Sequence, residues 1–191
     1  MRIVAGEWRG RRLSEPRGRE TTRPTTDRVR EACASMVTSA LPDGIEGIRV
    51  LDAFAGSGAL GMEFLSRGAA SATFFDIDRG AAALVRKNLE ALSCPKGRYR
   101  IVSGDVSLSA AKGRVPGGPF DLVLLDPPYA MDPVEVARIL DALAGHGLIA
   151  EGAIALYEHA ASAPGTDPER FEVVREKRYG TTAVDLLVYR P

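Results

Sequence analysis

The chain has 191 residues, 45% of them hydrophobic and 26% charged, which fits one globular domain and excludes wholesale disorder. Its 25 Lys+Arg balance 25 Asp+Glu, and a formal net charge of zero argues against a nucleic-acid binder, whose usual footprint is basic. The longest charge-free run, Ala32 to Pro42, is too short to span a membrane, and Cys33 and Cys94 make no disulfide framework, so a reduced cytoplasmic enzyme is expected.

Charge is uneven along the chain. Residues 1–30 hold nine arginines and four acids, a net +5 that leaves −5 for the remainder. This suits a basic, hairpin-like N-terminal extension over 1–26, ahead of one domain over 27–191. A solvated Arg-rich loop would give the same count.

After the extension, TTDRVREACASMVTSAL has apolar residues at helical spacing, with Thr26 or Asp27 as cap and Pro42 and Gly44 as stops. From there strands and helices alternate. IRVLDAF (48–54) is an apolar strand, followed by a Gly-rich turn and a helix over 59–68. ATFFDID (72–78) and 79–92 repeat the pattern, as do RYRIVSGD (98–105) and a short helical stretch. FDLVLLD (120–126) is a fourth strand, 133–145 a helix, and GAIALYEH (152–159) a fifth strand. The tail reads as two strands meeting near Gly180. Such alternation predicts an α/β fold, Rossmann-like, with a seven-stranded, mostly parallel sheet. The last two strands are joined too tightly for a crossover and should pair antiparallel.

In open α/β sheets ligands bind beyond the carboxyl ends of the strands. The first strand ends in Asp52-Ala-Phe54-Ala-Gly56-Ser-Gly58-Ala-Leu-Gly61, where glycines let the backbone turn and a helix N-terminus points at the same place. The run matches GxGxxG, and Asp76 follows where a ribose-binding acid would stand, so a nicotinamide oxidoreductase is a competing reading. Asp52, four residues before the first glycine, suits a cationic ligand better than a pyrophosphate.

The fourth strand ends in Asp126-Pro127-Pro128-Tyr129. Two prolines remove two donors and fix the chain in an extended exit, so the Asp126 carboxylate and the Pro127 carbonyl can both serve as acceptors. A pair of acceptors suits an NH₂ group, and Tyr129 supplies a face for a planar base. A ring amine is a poor nucleophile. Acceptors on its hydrogens stabilise the positive charge that develops as it attacks, and a strong electrophile is needed, such as the methyl of S-adenosylmethionine (SAM). A structural strand-to-loop corner is the plain alternative.

LDAFAGSGALG, FFDID, SGD and DPPY, in this order, resemble the motifs of class I amino-methyltransferases. With MRIVAGEWRGRRL, RPTTDRVRE and YGTTAVDLLVY added, the chain resembles the bacterial 16S rRNA guanine-N2 methyltransferases of the RsmD type along nearly its whole length. The resemblance implies methyl transfer from SAM to guanine N2 in 16S rRNA. Asp52, Phe54, Gly56 and Gly58 would cradle the methionine part, Asp76 the ribose, and Asp105 with Val106 the adenine. Asp126, Pro127 and Tyr129 would hold the target guanine. Arg9, Arg11, Arg12, Arg23, Thr25 and Arg28 would meet the RNA. An assembled or assembling 30S subunit as substrate and a monomeric enzyme are expected, with no membrane partner. Asp76 departs from the family, which more often has Glu there, and the acidic mid-chain leaves RNA binding to the arm. A DNA adenine-N6 methyltransferase would share DPPY but not the N-terminal signature.

Other residues read as structural. Trp8 could stack on RNA or pack the arm on the domain. His146 and His159 close a helix and a strand, Cys33 lies on an apolar helix face, and no His/Cys/Asp spacing suggests a metal site.

Overall fold

A computed structural model describes residues 1–15 and 27–191. Among the described residues, five α-helices, α1 (Asp27–Ala40), α2 (Ala59–Ser66), α3 (Arg79–Ala91), α4 (Val106–Ala111) and α5 (Pro133–Gly145), alternate with the first five of seven strands. The strands are β1 (Arg49–Asp52), β2 (Ser71–Asp76), β3 (Tyr99–Ser103), β4 (Phe120–Leu125), β5 (Ile149–Ala160), β6 (Phe171–Tyr179) and β7 (Thr182–Tyr189). They form one sheet in the order β3-β2-β1-β4-β5-β7-β6, parallel through β5, with β7 antiparallel to both its neighbours. This is the expected Rossmann-like class, seven-stranded and mostly parallel. The reversed β7 departs from the all-parallel 3-2-1-4-5-6 order of dinucleotide-binding enzymes.

Acids in the loops after β2, β3 and β4 start the next helices. Asp78 Oδ1 accepts from Gly80 N at 2.7 Å, Asp105 Oδ1 from Ser107 N and Leu108 N, and Asp132 Oδ1 from Val134 N. Each satisfies N–H groups that a helix start leaves open. One face of the sheet is covered by α1, α2 and α3 around Phe64, Leu65 and Phe74, the other by α4 and α5 around Phe75, Leu140 and Tyr157. β5 begins three residues before its expected start at Gly152. That glycine has φ +70, and the register with β4 shifts between Phe120 and Leu122, so the apparent break is an irregularity inside one strand.

The N-terminal arm is docked rather than appended. An antiparallel bridge, Arg2 to Arg12, makes residues 1–13 hairpin-like, and Ile3, Trp8 and Leu13 are buried in the core with α1 and α2. Fully buried Glu63 accepts from Val4 N at 2.8 Å, Ala5 N at 3.0 Å and Arg67 Nε at 2.9 Å. Trp8 is 4% exposed, with the Arg98 guanidinium 5.6 Å from its ring centroid. Packing, not RNA stacking, is its role. At Gly6 (φ +85) a Cβ would sit 1.8 Å from the Ser66 carbonyl oxygen, which accepts from Glu7 N at 2.7 Å. Gly6→Ala is therefore expected to detach the hairpin from α2 and cost about 1–3 kcal/mol of stability, read as a lowered thermal midpoint.

Candidate active site at the carboxyl ends of the central strands

The chain moves outward from β1 to β2 and β3, then returns to place β4 on the other side of β1. Asp52 pairs in register with Leu124, so the loop after β1 and the Asp126 loop face each other across one strand spacing. A crevice at this reversal is where an open α/β sheet holds its ligand.

Glycines shape the first wall. Gly56 (φ 53) and Gly58 (φ 78) adopt left-handed backbone, and Gly58 begins α2. A Cβ on Gly58 would lie 2.7 Å from Met62 Cε. One on Gly61 would lie 2.5 Å from Phe74 Cε1 and 2.8 Å from Asp52 Oδ2. Gly61, the third glycine of the motif, thus lets α2 close on β1 and β2.

The acids serve this loop directly. Asp52, 4% exposed, accepts from Gly61 N at 3.0 Å, and burial pushes its carboxyl up to about 7. Asp76 accepts from Gly56 N at 2.8 Å through one oxygen and from Asp78 N at 2.9 Å through the other. Both oxygens keep a lone pair for an outside donor. Asp105 caps α4 through Oδ1, Val106 is buried beneath, and Phe54 is half-buried against the α4–α5 core. Two apolar residues join this wall that the sequence reading left out. Ile77 is 74% exposed just after Asp76, and Leu108 is 59% exposed three residues after Asp105. Their signal was an apolar side chain set between polar ones, as in Asp76-Ile77-Asp78.

The opposite wall carries Asp126. Pro127 is buried, and Pro128 and Tyr129 are exposed, with Tyr129 Oη 3.4 Å from Thr182 Oγ1. The Asp126 carboxyl opens to solvent through the cleft yet is hemmed in by protein. That enclosure, together with Glu158 and Asp52 nearby, raises its pKa well above the usual carboxylate range. Glu158 is a third residue the sequence reading missed. It is 6% exposed in β5, one position beyond the Leu125–Tyr157 pair, and its signal was an acid inside an apolar strand.

The residues expected to meet RNA divide into three groups. Arg28 is exposed at the start of α1. Arg9, Arg11 and Arg12 are exposed on the arm, whose turn packs on Ser66, the last residue of α2. Because α2 runs away from the glycine loop, Arg9 and Arg11 lie toward the sheet end opposite Asp126, and Arg11 Nη2 donates to the Ala91 carbonyl. The structure therefore does not bring them to the cleft. Arg23 and Thr25 lie outside the described residues. His146 meets the Ala111 carbonyl through Nε2, and His159 is buried against Asp185 and stacked on Tyr157, both structural positions. Cys33 is buried in the core, its thiol pushed up to about 12.

The family model described as conserved hypothetical protein 95 matches residues 1–188. Ribosomal RNA small subunit methyltransferase D of Escherichia coli K12 is 37% identical over 188 residues, covering 97% of this chain and 88% of that one. The Haemophilus influenzae protein of the same name is 35% identical over 186 residues, covering 97% and 92%. Among solved structures, yhhF from Escherichia coli superposes with a TM-score of 0.83 at 36% identity, covering 100% of this chain and 98% of that one. The rRNA methyltransferase aviRa from Streptomyces viridochromogenes has a TM-score of 0.71 at 19% identity over 92% and 88%, a likeness of fold alone.

Proposed function

The chain belongs to the conserved hypothetical protein 95 family, that of the RsmD-type methyltransferases, and from this we propose that it methylates the exocyclic N2 amine of a guanine in small-subunit rRNA, with SAM as donor. The observation that carries this reading is Asp126-Pro127-Pro128-Tyr129 facing the glycine loop across the β1–β4 pair. A nicotinamide enzyme has no use for that acceptor pair.

The described residues fit the cofactor. Gly56 and Gly58 hold the left-handed backbone that turns the loop at the strand end, and buried Asp52 and nearby Asp126 favour a positive charge. Asp52, Phe54, Gly56 and Gly58 would hold its amino-acid part, Asp76 its ribose, and Asp105 its adenine amine, with Val106, Ile77 and Leu108 as apolar neighbours. When bound, SAM supplies an electrophilic methyl.

Asp126 and the Pro127 carbonyl would accept from the two hydrogens of the guanine amine and direct its lone pair outward. Tyr129, 59% exposed, offers its ring to the base. Positive charge grows on the nitrogen during attack, and an ionised Asp126 would stabilise it and accept the surplus proton of the methylated amine. Drawing a guanine edge into the cleft requires an unstacked base, at a cost of a few kcal/mol. A folded 30S particle that already presents such a base is the expected substrate, met by a monomer in the cytoplasm. Arg28, with Arg23 and Thr25, would lie on the RNA path. Arg9 and Arg11 would reach parts of the particle remote from the target base, and Arg12, bridged to Arg2 beside the start of α1, would meet RNA nearer the cleft.

The test offers radiolabelled methyl SAM to naked 16S rRNA, 30S particles and DNA in parallel, followed by nucleoside analysis. Label recovered as N2-methylguanosine from 16S rRNA is the expected result. Label in DNA as N6-methyladenine would favour the DNA adenine reading, and no label in rRNA in either form would sink the assignment.

A further inference from the structure

The sequence of β6 mixes signs: Glu172, Arg175, Glu176, Lys177 and Arg178. Pairing with β7 sorts them, because residues opposite one another in an antiparallel ladder share a face. Arg175 pairs with Leu186 and Lys177 with Val184, and both partners belong to the core on the α1 side. Tyr179 pairs with Thr182 on the same side. Glu176 pairs with Asp185 and Arg178 with Ala183, so they face the other way. Glu172 shares the first face only at the distant end of the strand, where Arg190 Nε holds it at 3.2 Å. A strand that looks nearly neutral in sequence therefore presents Arg175, Lys177 and Tyr179 together.

The strip has an open surface and a direction. β6 is the sheet edge, and residues 172–178 are all exposed. It runs antiparallel to β7, which runs antiparallel to β5, so β6 emerges at the sheet end that carries Asp126. There Arg28 of α1 is near enough for its charge to act on Tyr179. Thr182, the partner of Tyr179, meets Tyr129 Oη at 3.4 Å. The succession Arg175, Lys177, Tyr179 and Tyr129 thus leads to the acceptor pair.

We propose that this face of β6, joined by Arg28, is a track for the rRNA backbone that delivers the target guanine to Asp126. The proposal rests on the rRNA reading above. Alternate residues of a strand stand about 6.7 Å apart, which sets two cations in line along one polyanion. Arginine can hold a phosphate through two N–H groups, lysine acts as a point charge, and Tyr179 adds a face for a base. The track places positive charge at the cleft end, where the arm's Arg9 and Arg11 do not reach.

The test uses the full chain with a paired substitution, Arg175→Ala with Lys177→Ala. A control of equal charge loss, Lys112→Ala with Arg114→Ala, lies at the far end of α4, where both are exposed. The β6 variant should raise KM for 30S particles or 16S rRNA at least 10-fold and leave the SAM Kd unchanged. Its kcat at saturating RNA should stay within about twofold. Its log–log dependence of RNA affinity on salt should flatten by about 1.4, two phosphate contacts at roughly 0.7 each. Restoring charge with Arg175→Lys and Lys177→Arg should return most of the affinity. An unchanged KM and slope, or an equal effect from the control pair, would overturn the track. So would a raised KM with an unaltered slope, which points to a ribosomal protein as the contact. Failure of the unsubstituted protein to label any rRNA removes the underlying reading itself, and is thereby distinguishable from failure of the track alone.

Discussion

Replacing Asp126 with alanine is expected to lower methyl transfer by at least about 10²–10³-fold while SAM affinity stays within a few-fold. The carboxylate belongs to the substrate wall, at the end of β4, whereas the glycine loop and its bracing acids hold the cofactor from β1 and β2. Its loss removes a charged acceptor whose bond strengthens as the amine becomes positive. Asp126→Asn keeps an acceptor without the charge and should fall between the two. The reaction needs Asp126 ionised, and burial with Glu158 and Asp52 nearby raises its pKa well above the usual carboxylate range. Transfer should therefore rise with pH through that shifted value. Glu158→Gln removes one of the two acids that raise it, and should move the rising limb to lower pH with the plateau largely kept. Pre-steady-state methyl transfer across a pH series checks both. A limb that stays put in Glu158→Gln would exclude the electrostatic link.

The second large effect is a proton linked to cofactor binding. Burial disfavours the charge of Asp52 and pushes its carboxyl up to about 7. A cation bound beside it favours the ionised form, so binding SAM should release up to one proton near pH 6.5, and affinity should climb from pH 6 to 8. Calorimetry in buffers of different ionisation enthalpy reads the release directly. S-adenosylhomocysteine keeps the ammonium of the amino-acid part and loses only the sulfonium charge, so it should still release most of that proton. Asp52→Asn retains an oxygen for Gly61 N but no charge, and is expected to weaken SAM about 10–100-fold and to flatten the pH dependence. The same shift bears on stability. Between about pH 4 and pH 7 the folded chain keeps a proton that the unfolded chain has lost, so this group stabilises the fold at the acidic end. That contribution, of order a few kcal/mol, disappears as pH rises through 7. SAM should recover part of it.

Sequence alone carries a good deal of this molecule, because its signals are local. The alternation of apolar runs, the glycines at 56, 58 and 61, and the acids at 78, 105 and 132 that cap helices each depend on residues a few positions apart. Asp126-Pro127-Pro128-Tyr129 is likewise four residues in a row, with a chemistry of its own. The motif assigned ligand roles to Asp52 and Asp76, and the structure adds what they do meanwhile: both brace the glycine loop through backbone N–H groups.

What sequence could not decide is whatever depends on which strands become neighbours. Seventy-odd residues separate Asp52 from Asp126, and only the return of β4 beside β1 makes them two walls of one cleft. Glu158 acts on Asp126 only because β5 lies next to β4. The +5 of the first thirty residues reads as a basic extension, yet buried Glu63 and Trp8 and the close approach at Gly6 dock its first fifteen residues on α2 and turn Arg9 and Arg11 away from the cleft. The near-neutral β6 gains a basic face from its register with β7. Composition counts charges, but phosphate and sulfonium respond to where those charges stand. That position is settled by long-range pairing and burial, after the local signals have formed strands and helices.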